Sequence, residues 1–127
     1  MSELIPYLNV TDARAALRWY QDALGAEVTH EPIIMPDGRI GHSELTIDGA
    51  PFMLAGAFPE VRAVAPDASG SPVTLHLAET DVDGLTRSAV DAGSTLDRGP
   101  EDDPPVGRVA VLRDPFGHRW FLQQSLE

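Results

Sequence analysis

Three side chains on two predicted strands have the types that do chemistry in proteins. His42 and Glu44 are separated by one residue, and His76 lies in the second half of the chain. Side chains at i and i+2 of a strand share a face, so the imidazole of His42 and the carboxylate of Glu44 are expected side by side. Two imidazoles and a carboxylate can hold a metal or act as general acid and base. The commoner role of such a pattern is a solvated or hydrogen-bonded pair, so Glu44 and His76 are candidate catalytic residues only.

The composition limits this chemistry. The 127 residues include no cysteine, and all nine basic residues are arginine, which excludes thiol, disulfide, Schiff-base and lysine-dependent phosphate-loop functions. A net charge of −11 argues against a nucleic-acid partner and suits a cationic ligand. No apolar run reaches the length of a membrane span and the first residues lack signal-peptide features, which predicts a cytoplasmic protein without a membrane partner.

The order of predicted elements is the same in both halves. In the first half, hydrophobic periodicity predicts strands over residues 4–10, 26–35, 40–48 and 51–56, with a helix over 11–24 that ends at Gly25. A proline-rich connecting loop follows over 57–72. In the second half, strands are predicted over 73–78, 95–98, 108–113 and 119–124, with a helix over 80–92. The acidic run 101–103 is predicted to be a solvated loop, and His30 and His118 are predicted to be exposed.

The two halves therefore predict an α+β fold of two βαβββ modules within one domain, 1–127. Module 1 spans 1–56 and module 2 spans 73–127, and aligning them places Thr11-Asp12 on Thr80-Asp81 as matching helix caps. One such module cannot close its own sheet, so the two are expected to pair through their first strands and to share a cup-shaped mixed sheet. A ligand is expected in that cup, and the small size of the chain favours a homodimer.

Two motifs then resemble those of the vicinal-oxygen-chelate superfamily, which includes glyoxalase I, ring-cleaving dioxygenases and bleomycin-resistance proteins. Residues 19–25, WYQDALG, resemble its aromatic-Tyr-x-x-x-Leu-Gly signature, and residues 114–118, DPFGH, resemble its Asp-Pro-x-Gly turn. The duplicated βαβββ order accompanies both motifs, so the resemblance covers essentially the whole chain. Residues 52–60 are most similar to the branch called PhnB-like.

The resemblance also implies where a metal would be bound. Enzymes of the superfamily usually hold a divalent metal with one residue from the first and one from the last strand of each half. Those positions are Ile5, Met53, Thr74 and Phe121 in this chain. None is a histidine or a carboxylate, so no metal and no cofactor are expected.

Strand alternation predicts which side chains face the cup. In the first strand the apolar residues at every second position are expected beneath the helices, and the alternate residues are expected to face the cup. The first set is Leu4, Pro6, Leu8 and Val10, and the second is Ile5, Tyr7 and Asn9. The predicted ligand-binding residues are Tyr7, His42, Glu44, Met53, His76, Phe121 and Gln123.

Together these observations predict a protein that binds a small organic ligand, and the acidic charge favours a cationic one. The resemblance implies that the protein sequesters this ligand, as the drug-binding proteins of the superfamily do. Two alternatives stay open. One is a metal-independent lyase or isomerase that uses Glu44 and His76, and the other is a lyase or dioxygenase with a noncanonical His42, Glu44 and His76 metal site. A third class, an interaction module without a small ligand, would have its cup filled by side chains such as Phe58 and Phe121.

Overall fold

Each half of the chain forms its own four-stranded sheet with one helix against it. The computed structural model describes residues 1–126, which divide into unit 1, Met1–Pro66, and unit 2, from Asp67 onward. In both units the element order is βαβββ, and this confirms the predicted α+β fold of two such modules.

Unit 1 is a mixed sheet with strand order β1-β4-β3-β2. Its elements are β1 (Tyr7–Val10), α1 (Ala13–Leu24), β2 (Glu27–Ile34), β3 (Ile40–Ile47) and β4 (Ala50–Gly56). The first strand is parallel to β4, and the β2, β3 and β4 strands are antiparallel neighbours. The first strand therefore lies at one edge of this sheet and β2 at the other.

Helix α1 packs on one face of this sheet because its apolar residues follow the helical period. Asp12 caps the helix, its carboxylate accepting a hydrogen bond from the Ala15 N–H at 3.1 Å. Gly25 ends it with a left-handed φ of 68°, a conformation that favours glycine. The buried Tyr20 ring meets Phe52 of β4 edge to face at 5.4 Å. This contact fixes which face of β4 is covered and which is left for a site.

Unit 2 repeats the arrangement with strand order β5-β8-β7-β6. Its elements are β5 (Thr74–Ala78), α2 (Val82–Asp91), β6 (Thr95–Asp103), β7 (Gly107–Arg113) and β8 (Arg119–Gln124). Asp81 caps α2 by accepting from the Gly84 N–H at 3.0 Å, so both helices begin at the aspartate that the aligned halves predict.

The segment between β4 and β5 has little regular structure. It contains a 3-10 turn over Pro59–Val61, and Phe58 pairs with Ala63 in an isolated bridge. The Arg39 guanidinium lies 4.0 Å from the centre of the Phe58 ring and is hydrogen bonded to Glu60 through two nitrogens. Arg39 therefore fastens this segment to the start of β3.

The acidic run 101–103 was predicted wrongly as a loop, because it belongs to β6. Gly99 adopts a φ of +76° and lies so close to the Val109 backbone that a Cβ would not fit, and the β6–β7 register shifts around it. Strand β6 thus continues through residues whose types are typical of the end of a strand.

Ion pairs stabilise the acidic run within this strand. Arg98 pairs with Glu101 and Asp103, and Arg108 pairs with Asp102, which offsets the repulsion within the run.

Two exposure predictions were also wrong. His118 is buried, with 9% of its surface exposed, because the turn at 114–118 folds back on itself. The His118 N–H donates a hydrogen bond to Asp114 Oδ1 at 3.0 Å. Leu4 is 99% exposed because β1 begins only at Tyr7, whereas Leu8 and Val10 are buried as expected. His30 is exposed, as predicted. No helix within residues 1–126 is long and apolar enough to cross a membrane.

Candidate functional site

The sheet register of unit 1 brings four chemically distinct side chains into one line across the strands. Tyr7 of β1 is opposite Met53 of β4, Met53 is opposite Glu44 of β3, and Glu44 is opposite His30 of β2. Directly opposed residues share a face of the sheet. These four residues, called the unit 1 row, therefore lie on one face. On β3, the alternate residues Ser43, Leu45 and Ile47 are buried, so the row lies on the face away from the core.

A hydrogen-bonded chain crosses the unit 1 row diagonally. His42 Nε2 lies 2.7 Å from Glu44 Oε2, and His42 Nδ1 lies 2.9 Å from the Tyr7 hydroxyl. The hydroxyl also lies 3.3 Å from the carbonyl oxygen of Gly41. The His42 side chain is 25% exposed and that of Glu44 is 37% exposed. The sheet thus holds an imidazole between a phenol and a carboxylate at a half-buried position.

The pKa of Tyr7 reflects the electrostatic environment of these hydrogen-bonded side chains. Partial burial raises the pKa of the Tyr7 phenol above its usual 10.0, and the negative charge of Glu44 raises it further. The phenol is therefore held in its neutral, hydrogen-bonding form.

His30 belongs to this cluster, although the sequence predicts only that it is exposed. Its ring lies 5.9 Å from that of His42 in an edge-on arrangement. A usable signal was present: counting back from the turn at 36–38 places residue 30 opposite residue 44. Register shifts in β2 make that count unsafe without the structure.

The predicted residues of unit 2 form a separate group with an aromatic centre. His76 of β5 is opposite Phe121 of β8, and their rings stack at 5.4 Å with 19° between planes. Phe121 is opposite Val111, and Val111 is opposite Arg98. These four residues are called the unit 2 row. Gln123 lies two residues along β8, with its amide donating to the Val106 carbonyl at 2.9 Å.

Arg119 and Thr74 lie beside the unit 2 row. They are opposed across β5 and β8, and Arg119 Nη1 donates to Thr74 Oγ1 at 2.7 Å. The structure thus brings Tyr7, His42, Glu44 and Met53 together in unit 1. The predicted residues of unit 2, His76, Phe121 and Gln123, lie on neighbouring strands β5 and β8.

The family of the chain follows from comparison with known proteins. A model of the Glyoxalase/Bleomycin resistance protein/Dioxygenase superfamily matches residues 4–122, and the chain belongs to this superfamily. An uncharacterized protein of Mycobacterium bovis is 39% identical over 128 residues, which cover 97% of this chain and 83% of that protein.

Solved structures share the fold. TioX from Micromonospora sp. superposes with a TM-score of 0.75 at 24% identity, covering 99% of this chain and 100% of its own. The fosfomycin resistance protein FosX from Listeria monocytogenes gives a TM-score of 0.73 at 16% identity, covering 98% of this chain and 92% of its own. At these identities the likeness establishes the fold.

The four positions at which the superfamily's enzymes bind a metal do not fit one here. Ile5 and Phe121 are hydrocarbon side chains and Met53 is a thioether, whereas divalent first-row metals need imidazole, thiolate or charged oxygen donors. The fourth residue, Thr74, already accepts a hydrogen bond from the cationic Arg119, whose charge would repel a metal ion. Within residues 1–126, no group of three or more His, Cys, Asp or Glu side chains is placed to hold a metal.

Proposed function

We propose that this protein binds a small organic molecule on a sheet face that carries the unit 1 row or the unit 2 row, without the divalent metal of its superfamily. The observation that carries this proposal is the half-buried chain of Tyr7, His42 and Glu44. Polar groups held in one geometry on the face away from a core are typical of ligand sites, where a few convergent polar groups set orientation among apolar ones. Met53 supplies the apolar contact in unit 1, and the stacked His76 and Phe121 supply it in unit 2.

Sequestration is the form of binding that we favour, meaning stoichiometric capture of a drug-like molecule without turnover. The mismatch at Ile5, Met53, Thr74 and Phe121 supports it, because metal-dependent superfamily chemistry has no donor set at these positions. FosX is named as a fosfomycin resistance protein, so this fold is compatible with a role in drug resistance.

The net charge of −11 favours a cationic ligand through long-range attraction. Affinity for such a ligand should therefore weaken as salt rises, since ions screen exposed charges. Binding that is insensitive to salt would argue against this selection.

A ligand screen tests the proposal directly. The protein would be screened by thermal shift against cationic, neutral and anionic aromatic compounds, because a molecule that binds the native state raises its stability. Hits would be located by amide chemical shifts in the 15N-labelled protein. Shifts at Tyr7, Glu44 or His76 that are lost in a Glu44→Gln, His76→Ala double variant are the expected result. Unchanged affinity in that variant would show that neither row takes part in ligand binding.

The contact between His42 and Glu44 favours a second candidate, a metal-independent lyase or isomerase. A carboxylate 2.7 Å from an imidazole can orient it and support it as a general base. Turnover of a bound compound that is lost in Glu44→Gln would establish this candidate over sequestration. The metal-dependent alternative has its own test, which is the metal content of protein purified without chelator or nickel affinity resin.

We further propose that the protein is a cytoplasmic homodimer of the PhnB-like branch. Exposed apolar side chains on edge strand β2, at Ile33 and Ile34, support association. Light scattering after gel filtration measures the oligomeric state, and a monomer at micromolar concentration would contradict this part.

A further inference from the structure

The side-chain hydrogens of Tyr7, His42 and Glu44 can be assigned from which groups donate a hydrogen bond and which only accept one. A carboxylate only accepts, so the 2.7 Å contact between Glu44 and His42 requires a hydrogen on His42 Nε2. In the neutral imidazole Nδ1 is then an acceptor. The Tyr7 hydroxyl, 2.9 Å away, must donate to it.

The assignment has the same consequence when His42 is charged. Nδ1 then carries a hydrogen and donates to the Tyr7 oxygen, and the hydroxyl hydrogen turns to the Gly41 carbonyl, which lies 3.3 Å from that oxygen. In both states every polar hydrogen of Tyr7, His42 and Glu44 is used inside the protein.

The groups left for a ligand along the unit 1 row are therefore all acceptors. They are a lone pair of the Tyr7 oxygen, Oε1 of Glu44 and the thioether of Met53. His30 fits the same pattern: its Nδ1 lies 2.8 Å from the Glu31 carbonyl and must donate to it, which leaves Nε2 as an acceptor in the neutral ring.

A row of acceptors around a half-buried carboxylate selects for hydrogen-bond donors with positive charge. Within residues 1–126 the Glu44 side chain has one hydrogen-bond donor, His42, and it is 37% exposed. A carboxylate partly removed from water is stabilised by further charged donors. We propose that the unit 1 row binds a protonated nitrogen that carries N–H groups, such as an ammonium, guanidinium or amidinium group of the ligand. This inference rests on the proposed function and names the ligand chemistry of one of its two faces.

The unit 2 row provides an internal contrast. The residue that corresponds to Glu44 by register is Val111, which is 2% exposed, and the strand beyond it carries Arg98 in place of His30. Nothing in the unit 2 row is a carboxylate. Recognition of a protonated nitrogen is therefore assigned to unit 1 alone.

Three probes separate hydrogen-bond donation from charge. Benzamidine is a cation with N–H donors, phenyltrimethylammonium is a cation without them, and benzoate is an anion with acceptors only. Each would be titrated into the 15N-labelled protein, with amide shifts on β1, β3 and β4 giving the affinity. Benzamidine should bind about tenfold or more tighter than either of the others, as expected for one charged hydrogen bond.

Two variants and a matched control complete the experiment. Glu44→Gln should abolish the preference for benzamidine over phenyltrimethylammonium, and Tyr7→Phe should reduce it. Asp22→Asn makes a comparable charge change on exposed helix α1 and should leave it unchanged. The thermal midpoint of each variant shows whether it is folded. If Glu44→Gln is not folded, the reduced preference expected in Tyr7→Phe tests the inference instead.

The outcomes are distinct from those of the ligand screen. Three results would each overturn the inference: equal affinity for benzamidine and phenyltrimethylammonium, tighter binding of benzoate, or a preference for benzamidine that survives Glu44→Gln. The proposed function would still be supported in these cases by any probe that shifts the amides of this face. If none of the three probes shifts it, the inference also fails, and the screen alone decides the proposed function.

Discussion

Glu44 and Val111 occupy the same position in the two units: each lies on the third strand of its module, opposite the central residue of the last strand. That central residue is Met53 in unit 1 and Phe121 in unit 2. The Glu44 side chain is 37% exposed and hydrogen bonded to His42, whereas Val111 is 2% exposed. The same strand arrangement therefore carries a partly exposed polar residue at this position in unit 1 and a buried apolar residue in unit 2.

Exchanging the two residue types should have very different costs. Val111→Glu places an unpaired carboxylate at a buried position, which we expect to destabilise the protein by about 3 kcal/mol or more. Glu44→Val leaves one half-buried imidazole N–H without its acceptor and should cost only about 1 kcal/mol. Urea unfolding of both variants measures the difference. Equal stabilities would mean that the two positions are not distinct in the folded protein.

The ionisation of Tyr7 reports directly on Glu44. Burial and the Glu44 charge both raise the Tyr7 pKa above 10.0, so Glu44→Gln should lower it towards that value. The measurement is phenolate absorbance against pH, with the curve of Tyr7→Phe subtracted to remove Tyr20. Asp22→Asn is the control and should not move the curve.

The sign of the matching stability effect follows from the raised pKa. A phenol whose pKa is higher in the folded state stabilises it below about pH 10, the unfolded value, and that contribution is lost as pH rises through the folded pKa. Glu44→Gln should therefore reduce the loss of stability on the alkaline side. A Tyr7 pKa that does not respond to Glu44→Gln would show that the two groups are not coupled.

Much of the fold could be predicted from the sequence because local signals agreed with one another. Asp12 and Asp81 marked both helix starts, and strand alternation predicted that Glu44 faces away from the helix-covered core. Such signals depend on chain neighbours alone, and they suffice for element order and for the orientation of regular strands.

The error over residues 101–103 and the missed place of His30 came from long-range register. The continuation of β6 past Gly99 depends on how closely the Val109 backbone approaches, and the place of His30 in the unit 1 row depends on shifts within β2. The difference between Glu44 and Val111 depends on what covers each position. None of these is encoded in a window of adjacent residues.

The turn before β8 depends on one carboxylate. Asp114 is buried and accepts hydrogen bonds from the Phe116 N–H at 2.9 Å, the His118 N–H at 3.0 Å and the Trp120 indole N–H at 2.9 Å. Asp114→Ala leaves these donors without that acceptor, and we expect a loss of about 3 kcal/mol in the free energy of unfolding.

The conservative change Asp114→Asn should cost less. The amide oxygen can still accept from the backbone, but its NH2 group would face the Trp120 indole N–H, which is also a donor. Asp91→Ala, at an exposed aspartate of α2, is the control and should stay within about 0.5 kcal/mol of the parent. Chemical unfolding followed by tryptophan fluorescence gives all three values. If Asp114→Ala matched the control, the turn would not depend on this carboxylate.

The attachment of Phe58 to β3 should be sensitive to acid. Arg39 donates to Glu60 Oε2 at 2.6 Å and to Asp37 Oδ2 at 2.8 Å, and these bonds hold the pKa of both carboxyls below their usual 4.5 and 3.8. Groups with a lowered folded pKa stabilise the structure above the unfolded value, and the contribution is lost as pH falls through the folded one. The attachment should therefore hold at neutral pH and loosen below about pH 4.

Amide hydrogen exchange detects that loosening. The Phe58 N–H donates to the Ala63 carbonyl at 2.7 Å and the Val61 N–H to the Phe58 carbonyl at 3.0 Å, so both should be protected while the segment is attached. Arg39→Gln should raise their exchange severalfold at neutral pH while amides of β7 keep their protection, because these exposed ion pairs act locally. Arg62→Gln, an exposed arginine of the same segment, is the matched control. Unchanged exchange at Phe58 and Val61 in Arg39→Gln would show that backbone bonds alone hold the segment.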